Sequence, residues 1–348
     1  MKILIVNSHI SWGGLGQFTI NLVQGLLDKQ NEVYGIITHE DDGLFHDFKK
    51  LVKKNYYLGN HNKLVKYLKL IVLANKVNPD VIYINDNAPI HFVLPFVRCK
   101  KIISIIHSDQ TEFYRICAIN KKYVSKWVAP TKQVKINFEK YLQTPYLNNL
   151  IKIIPHGVKP SEFNVSTVES KDFEIVFIGA IYEHKGVQLL PEILNSITKK
   201  IKDVHLTIIG EGDLLIELKE KFNLMNLSKH VTFTGVLSNL KTREILNNSD
   251  VLLFPTRLES FGLVIIEAMM EGTVPIVTNL TNITDQIIDD DQNGVLINYN
   301  DIDGFSKKII QLYFNPNKLS NLKIKAKSKA LKFFSVDAMV TEYIRLVN

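Results

Sequence analysis

Two carboxylates, Glu259 and Glu267, bracket the stretch ESFGLVIIEAMMEG. Between them lie a Ser-Phe-Gly turn and four aliphatics, Leu263 to Ile266. The longer pattern, DVLLFPTRLESFGLVIIEAMMEG, predicts strand, loop and helix, with Glu259 in the loop and Gly262 near the helix start. Glu267 then falls about a turn and a half inside the helix, next to apolar neighbours, and is partly buried. A plain core helix needs neither acid. A carboxylate taken out of water needs donors. Sugar hydroxyls are such donors, and backbone N–H groups around Phe261, Gly262 and Leu263 suit a phosphate. The two acids would then hold two sugar rings of one ligand, with its phosphates between them.

Three other stretches carry chemistry of the same kind. NSHISWGGLGQF, from Asn7 to Phe18, follows the first strand and opens a helix, and Gly13, Gly14 and Gly16 permit close backbone approach of an anion. The glycines read G-G-x-G instead of G-x-G-x-x-G, and the next strand ends in Thr38 and His39 without an acid. A nicotinamide dehydrogenase is therefore disfavoured. The same glycines would also serve a tight turn with no ligand. His107 ends a strand in IISIIHSD, where an imidazole can face a ligand or simply cap the strand. GAIYEHKG, Gly179 to Gly186, closes a strand before a helix expected over 185–200. A cation at Lys185, in that helix's first turn, opposes the dipole, and a phosphate bound there resolves the conflict; a solvated surface lysine is the plainer alternative.

These residues need elements to position them. Strands are expected at 2–7, 32–38, 80–86, 101–107, 127–131 and 152–155, then at 173–179, 204–210, 231–235, 250–256, 274–279 and 294–297. They are short, β-branched and nearly continuously apolar, as strands covered on both faces are. Helical periods lie between them, for example at 214–221. The fold class is therefore α/β, with two Rossmann-like, doubly wound parallel-sheet domains facing across a cleft. Polar KPSEFNVSTVESKD, from Lys159 to Asp172, reads as the seam. We expect domains at 1–162 and 163–334, with a C-terminal helix near 335–348 packing back on the first. Ligands in such sheets sit beyond the carboxyl ends of the strands.

Composition narrows the rest. The 348 residues are 46% hydrophobic and 22% charged, enough for two cores. Cys99 and Cys117 are the two cysteines, so neither a C-x-x-C metal motif nor a disulfide framework is implied, and a reduced, cytoplasmic setting is the default. No signal segment or spanning helix is expected. Asp289, Asp290 and Asp291 contain a D-x-D, read here as a solvated turn before Asn293 and Gly294; no metal is expected. The net charge of +7 divides into +10 for residues 1–165 (22 Lys+Arg, 12 Asp+Glu) and −3 for residues 166–348 (20 and 23). This is either ordinary surface charge or the mark of an anionic partner. Lys53, Lys54, Lys63, Lys66 and Lys69 are interleaved with Leu51, Tyr56, Tyr57, Leu64, Val65 and Leu68 in a region read as helical, which suits an anionic membrane surface. No helix-turn-helix, zinc or base-stacking motif points to nucleic acid.

The chain resembles the family 4 retaining glycosyltransferases of the GT-B fold over almost its full length. The resemblance rests on the glycines at 13–14, HSD at 107–109, VAPTKQV at 128–134, IPHGV at 154–158 and the G…KG segment at 179–186. It continues in IIGEGD at 208–213, VTFTGVL at 231–237 and the E-x7-E motif of Glu259 and Glu267. It implies a nucleotide-diphosphate sugar donor and no metal cofactor. Gly14 and Lys185 would meet the diphosphate, and Glu259 the hydroxyls of a transferred hexose-type sugar. Glu267 would hold the ribose, amides at Phe261, Gly262 and Leu263 the donor, His107 the sugar ring, and Leu237 would lie beside the base. The configuration at the anomeric carbon would be kept, with the leaving phosphate helping to deprotonate the acceptor. A glycan, a lipid-linked acceptor or an anionic polymer is the implied acceptor class, in cell-surface glycan, teichoic acid or glycolipid synthesis, cytoplasmic or peripheral at the inner membrane face. One departure stands out: Ala180 replaces the arginine that often follows the glycine at 179, with Arg257 a candidate substitute. That departure also admits a non-catalytic partner subunit.

Overall fold

The computed structural model describes residues 1–10, 13–39, 43–59, 61–85, 88–160 and 172–347, without the side chains of Ala88 and Tyr146. The chain divides into two compact units, Met1–Lys159 with Phe334–Asn348, and Pro160–Phe333. Most of the expected seam lies outside the described residues.

Unit 1 holds seven parallel strands: β1 (Lys2–Asn7), β2 (Glu32–Ile37), β3 (Lys54–Tyr57), β4 (Val81–Asn85), β5 (Lys101–Ile105), β6 (Lys126–Ala129) and β7 (Ile151–Ile153), in the order β3-β2-β1-β4-β5-β6-β7. Alternate side chains of β1 feed two cores. Leu4 and Val6 join Trp127 and Phe138 on one face, while Ile3 and Ile5 join Phe18 and Leu22 on the other. That second core is closed by the helix Val336–Arg345, whose Met339, Val340 and Tyr343 are buried in it. The helix lies hard against Gly14–Asp28: a Cβ on Gly25 would fall 2.6 Å from both Val336 and Val340. The Tyr83 hydroxyl donates to the Tyr343 carbonyl at 3.0 Å.

Unit 2 holds six parallel strands: β8 (Phe173–Ile178), β9 (Val204–Ile209), β10 (Val231–Gly235), β11 (Val251–Phe254), β12 (Val274–Thr278) and β13 (Val295–Ile297), in the order β10-β9-β8-β11-β12-β13. Each sheet reverses its winding beside its first strand, between β1 and β4 in unit 1 and between β8 and β11 in unit 2. Chain crossovers leave on opposite faces there and open a crevice.

Two expectations need correction. The region carrying the five lysines is not one helix. Lys54–Tyr57 is the edge strand β3, and the helix begins only at Lys63, capped by the Asn62 side chain accepting from Val65 N. The helix expected from Lys185 starts at Leu190 (Leu190–Thr198), preceded by short 3-10 turns at Glu183–Lys185 and Val187–Leu189. Gly186 turns left-handed at φ +73°, and Pro191 fits only a helix's first turn. Lys185 therefore opposes no helix dipole.

Candidate functional site

The unit 2 crevice is lined by the segments that leave β8 and β11. Three contacts dock them. Thr256 Oγ1 reaches the His184 carbonyl at 3.1 Å, and Arg257 N donates to the same carbonyl at 2.8 Å. Gly186 presses on Pro255 so closely that a Cβ would stand 1.9 Å from the Pro255 carbonyl oxygen. This docking brings the Lys185 ammonium to Glu259, with Nζ 2.8 Å from Oε2 and both side chains less than a fifth exposed. Lys185 also lies 5.6 Å above the Phe254 ring. The second Glu259 oxygen accepts from Ser260 N at 3.0 Å. The structure thus joins two residues 74 positions apart in sequence, on either side of the switch point.

Past Glu259 the chain turns through buried Phe261 to Gly262, which caps the helix Leu263–Glu271 at φ +91°. A side chain there would be strained by that φ and would meet Ile265 at 2.8 Å. First-turn amides of a helix lack intrahelical partners and favour an anion. Leu263 opens that turn half-buried, and Glu267 lies one turn further on.

Glu267 belongs to a ladder between two helices. On Asn239–Asn247, Asn239 and Arg243 lie one turn apart; on Leu263–Glu271, so do Glu267 and Glu271. Asn239 Nδ2 donates to Glu267 Oε1 at 3.4 Å, and Arg243 forms a buried ion pair with Glu271. Burial pushes the Glu267 carboxyl up to about 7, with Arg243 and the long Asn239 bond opposing and Glu271 adding to the rise. Asn239, Arg243 and Glu271 were not among the residues expected from sequence. Their i,i+4 spacings were visible, but nothing in one chain pairs the two helices.

Leu237 is half-buried and lines a separate cavity of about 460 Å³ with Thr207, Lys241, Ile245 and Glu174. None of Lys185, Glu259 and Glu267 lines that cavity. Arg257 is exposed and faces Glu183 across 3.9 Å, so the positive charge lost at Ala180 is not restored by a free guanidinium at this point. Asp289 pairs with Lys329 at 2.8 Å, and Asp291 with Lys308 and Lys318 at 3.2 and 3.0 Å.

In unit 1, Gly14 is exposed at the first position of the Gly14–Asp28 helix, after β1. His107 follows β5, with its ring 4.9 Å from Phe18 and 5.2 Å from the His156 ring. Its Nε2 is hydrogen-bonded to Asn85 Oδ1 at the end of β4. Its Nδ1 is buried without a partner among the described residues. Burial, then the neighbouring His156, holds the His107 imidazole well below the usual histidine range. Both rings are neutral near pH 7, His156 titrating at about 3 through burial. In this state Nδ1 of His107 is shielded from solvent and Nε2 is engaged by Asn85.

Residues 158–329, nearly all of unit 2, match the model of the glycosyl transferases group 1. The chain belongs to this glycosyltransferase family. It is 24% identical over 351 residues to an uncharacterised glycosyltransferase of Methanocaldococcus jannaschii, covering 96% of this chain and 94% of that one. Over 216 residues it is 27% identical to an Escherichia coli protein named UDP-Gal:alpha-D-GlcNAc-diphosphoundecaprenol alpha-1,3-galactosyltransferase, covering 57% of this chain and 54% of the relative. It is also 24% identical to an uncharacterised glycosyltransferase of Haemophilus influenzae over 88% of both chains, while its matches to some other curated relatives span about half of their length or less. In three dimensions it is similar to HepE of Anabaena, solved in complex with UDP, at a TM-score of 0.83 and 16% identity over 99% of both chains. This glycosyltransferase therefore has the GT-B fold that its motifs implied.

Proposed function

We propose that this glycosyltransferase moves a hexose-type sugar from a nucleotide-diphosphate sugar to an acceptor, keeping the anomeric configuration. The observation that carries the reading is the Lys185–Glu259 pair at the switch point of unit 2, beside the Gly262-capped helix. Without a ligand the two charges neutralise each other. A donor parts them: Lys185 turns to the diphosphate with the helix's first amides, and Glu259 accepts from the sugar hydroxyls. Glu267 accepts from the ribose. Gly14 and His107 contribute to the diphosphate and the sugar, and Leu237 to the base. The bond from C1 to the phosphate oxygen breaks, the acceptor oxygen bonds C1 on the same face, and its proton passes to the departing phosphate. The UDP in HepE and the UDP-Gal in the E. coli relative's name support a uridine donor. No divalent metal is needed, because Lys185 and the amides carry the leaving charge.

The acceptor in this reading is a glycan, lipid-linked or anionic polymer, and the protein works at the cytoplasmic face of a membrane bearing anionic lipid. Eight lysines, at 49, 50, 53, 54, 63, 66, 69 and 76, and no Asp or Glu occur between Phe48 and Pro79. On the helix Lys63–Val77, Leu64, Leu68 and Val72 form an i,i+4 stripe that is 69%, 56% and 63% exposed, and Phe92 and Phe96 beside it are also exposed. Among the described residues no helix is long and apolar enough to cross a membrane.

Titration with UDP-sugars tests the donor. A true donor at 100 times its Kd adds about 2.7 kcal/mol of stability in a thermal shift. If no nucleotide sugar shifts the protein, and none is hydrolysed or transferred, the reading fails. Ala180 then favours the alternative of a non-catalytic partner subunit.

A further inference from the structure

The side chains at the head of the unit 1 sheet form a chain of hydrogen bonds whose protons can be counted. Thr19, fully buried in the Gly14–Asp28 helix, donates its single hydroxyl proton to the Leu15 carbonyl at 2.9 Å. Its oxygen can then only accept, and it accepts twice, from Asn7 Nδ2 at 3.2 Å and from Asn85 Nδ2. A hydroxyl has one donor and two acceptor sites, so Thr19 is saturated. With Asn85 bound to give its N–H to Thr19, its carbonyl oxygen faces His107. A carbonyl cannot donate, so the proton in that bond belongs to His107 Nε2. A neutral imidazole carries one N–H, which leaves Nδ1 bare. Nδ1 is the nitrogen that is buried without a partner among the described residues.

We infer that Asn85, steered by Thr19, is a positioning residue that fixes His107 as the Nε2–H tautomer and so reserves its Nδ1 for a hydroxyl donor. The geometry selects by chemistry. A sugar or other alcohol hydroxyl can donate a hydrogen bond to Nδ1; a phosphate or carboxylate anion cannot and is repelled by the lone pair. An unmet buried acceptor is costly, and a hydroxyl that reaches it removes that cost. Burial lowers the ring's basicity, so near neutral pH His107 is suited to accept a hydrogen bond at Nδ1 and poorly suited to take up a proton. Among the described residues, the titratable group facing the His107 ring is His156, itself neutral. The identity of the hydroxyl as the donor sugar's rests on the proposed function; the tautomer does not.

The test is a long-range proton–nitrogen spectrum of histidine-labelled, ligand-free protein, with His107 assigned by loss of its signals in His107→Gln. One Nε2–H pattern, favoured by about tenfold or more, the scale of one buried hydrogen bond, is expected near neutral pH. An Nδ1–H pattern, a mixture or an imidazolium overturns the inference. Thr19→Val leaves the Asn85 amide free to turn and should bring the two tautomers towards equal populations, whereas Thr19→Ser should keep the parent pattern. A single unchanged pattern in Thr19→Val also overturns it. If Thr19→Val fails to fold, Asn85→Asp decides instead: a carboxylate on Nε2 should raise the pH at which His107 titrates, and an unmoved titration sinks the relay. Adding UDP-glucose separates the two readings. A parent tautomer as expected, with an Nδ1 resonance that ignores a bound nucleotide sugar, keeps the positioning role and removes His107 from the sugar site.

Discussion

At the scale of residues, Glu267 makes the sharpest prediction. Its folded-state carboxyl titrates at about 7, against 4.5 for the ordinary group. Between those values the folded chain holds a proton that the unfolded chain has released. Its contribution to stability is therefore greatest below about pH 4.5 and declines as pH rises to about 7. Ribose hydroxyls need the carboxylate, so affinity for a nucleotide sugar, whose esterified diphosphate has no proton to gain in this range, should move the other way. It should be about tenfold weaker at pH 6 than at pH 8, one unit below the folded pKa leaving about a tenth of the group ionised. Glu267→Gln should abolish that slope in calorimetry, and an identical slope in the variant refutes the ribose role. Glu267→Ala should weaken UDP by roughly 1.5 to 3 kcal/mol, the worth of a hydrogen bond to a charged group. The acid itself was legible, because an acid amid the apolar residues of LVIIEAMM has no structural reason to be there. What sets its titration was not: Arg243 and Glu271 are 28 residues apart and meet only once two helices pack. Asn85 was hidden for the same reason, as the polar end of an otherwise apolar strand.

At the scale of elements, the two docked loops of unit 2 hinge on Gly186. An alanine there would carry a left-handed φ of +73° and drive its Cβ into the Pro255 carbonyl. Overpacking of this kind costs about 1 to 3 kcal/mol. Gly186→Ala should lower the unfolding free energy by that amount in a denaturant titration and weaken UDP binding as Lys185 and Glu259 are spread apart. A variant with parent stability and affinity would show that the docking does not position the pair. Among the described strands, the central ones such as β1, β4 and β11 were legible because both their faces are buried, which writes an unbroken apolar run, while the edge strands β7 and β10 were legible from their β-branched residues. The exception, β3, is an edge strand of four residues, Lys-Asn-Tyr-Tyr, with Lys53 directly before it. Half of its surface faces water, so its composition matched the basic helix that follows. The start of the Leu190–Thr198 helix was misplaced because Lys185–Leu189 has helical composition, while Gly186 breaks the helix through its backbone.

At the scale of the whole molecule, the proposed membrane binding divides into two parts, one from the exposed stripe and one from its lysines. Lys53 drops out of the expected cluster, since it pairs with Glu32 at 2.9 Å. Lys63, Lys66 and Lys69 should contribute roughly 1 kcal/mol each to vesicles with anionic lipid, an effect that fades with salt. Leu64, Leu68 and Val72 should supply a part that persists at high salt, through burial of apolar area. Changing the three lysines to Gln should remove the first part, and changing the three aliphatics to Ser the second, as read by vesicle sedimentation at two ionic strengths. If the unmodified protein ignores anionic vesicles at low salt, the surface serves some other partner. The proposed metal independence is tested at the same scale: a chelator should leave transfer unchanged, and rescue of lost activity by manganese would refute it.

The return of Val336–Arg345 to unit 1 has a consequence for how the chain is made. Ribosomes deliver residues in order, and the core around Phe18 and Tyr83 is missing Met339, Val340 and Tyr343 until the whole of Pro160–Phe333 has been synthesised. The unit translated first is thus the one completed last, while Pro160–Phe333 has all its parts once Phe333 has emerged. During that interval the first unit's apolar flank along Leu22 and Gly25 is uncovered. The nascent chain would spend it as a client of whatever holds exposed apolar surface in the cell, and the closing helix acts as the latch that ends this dependence.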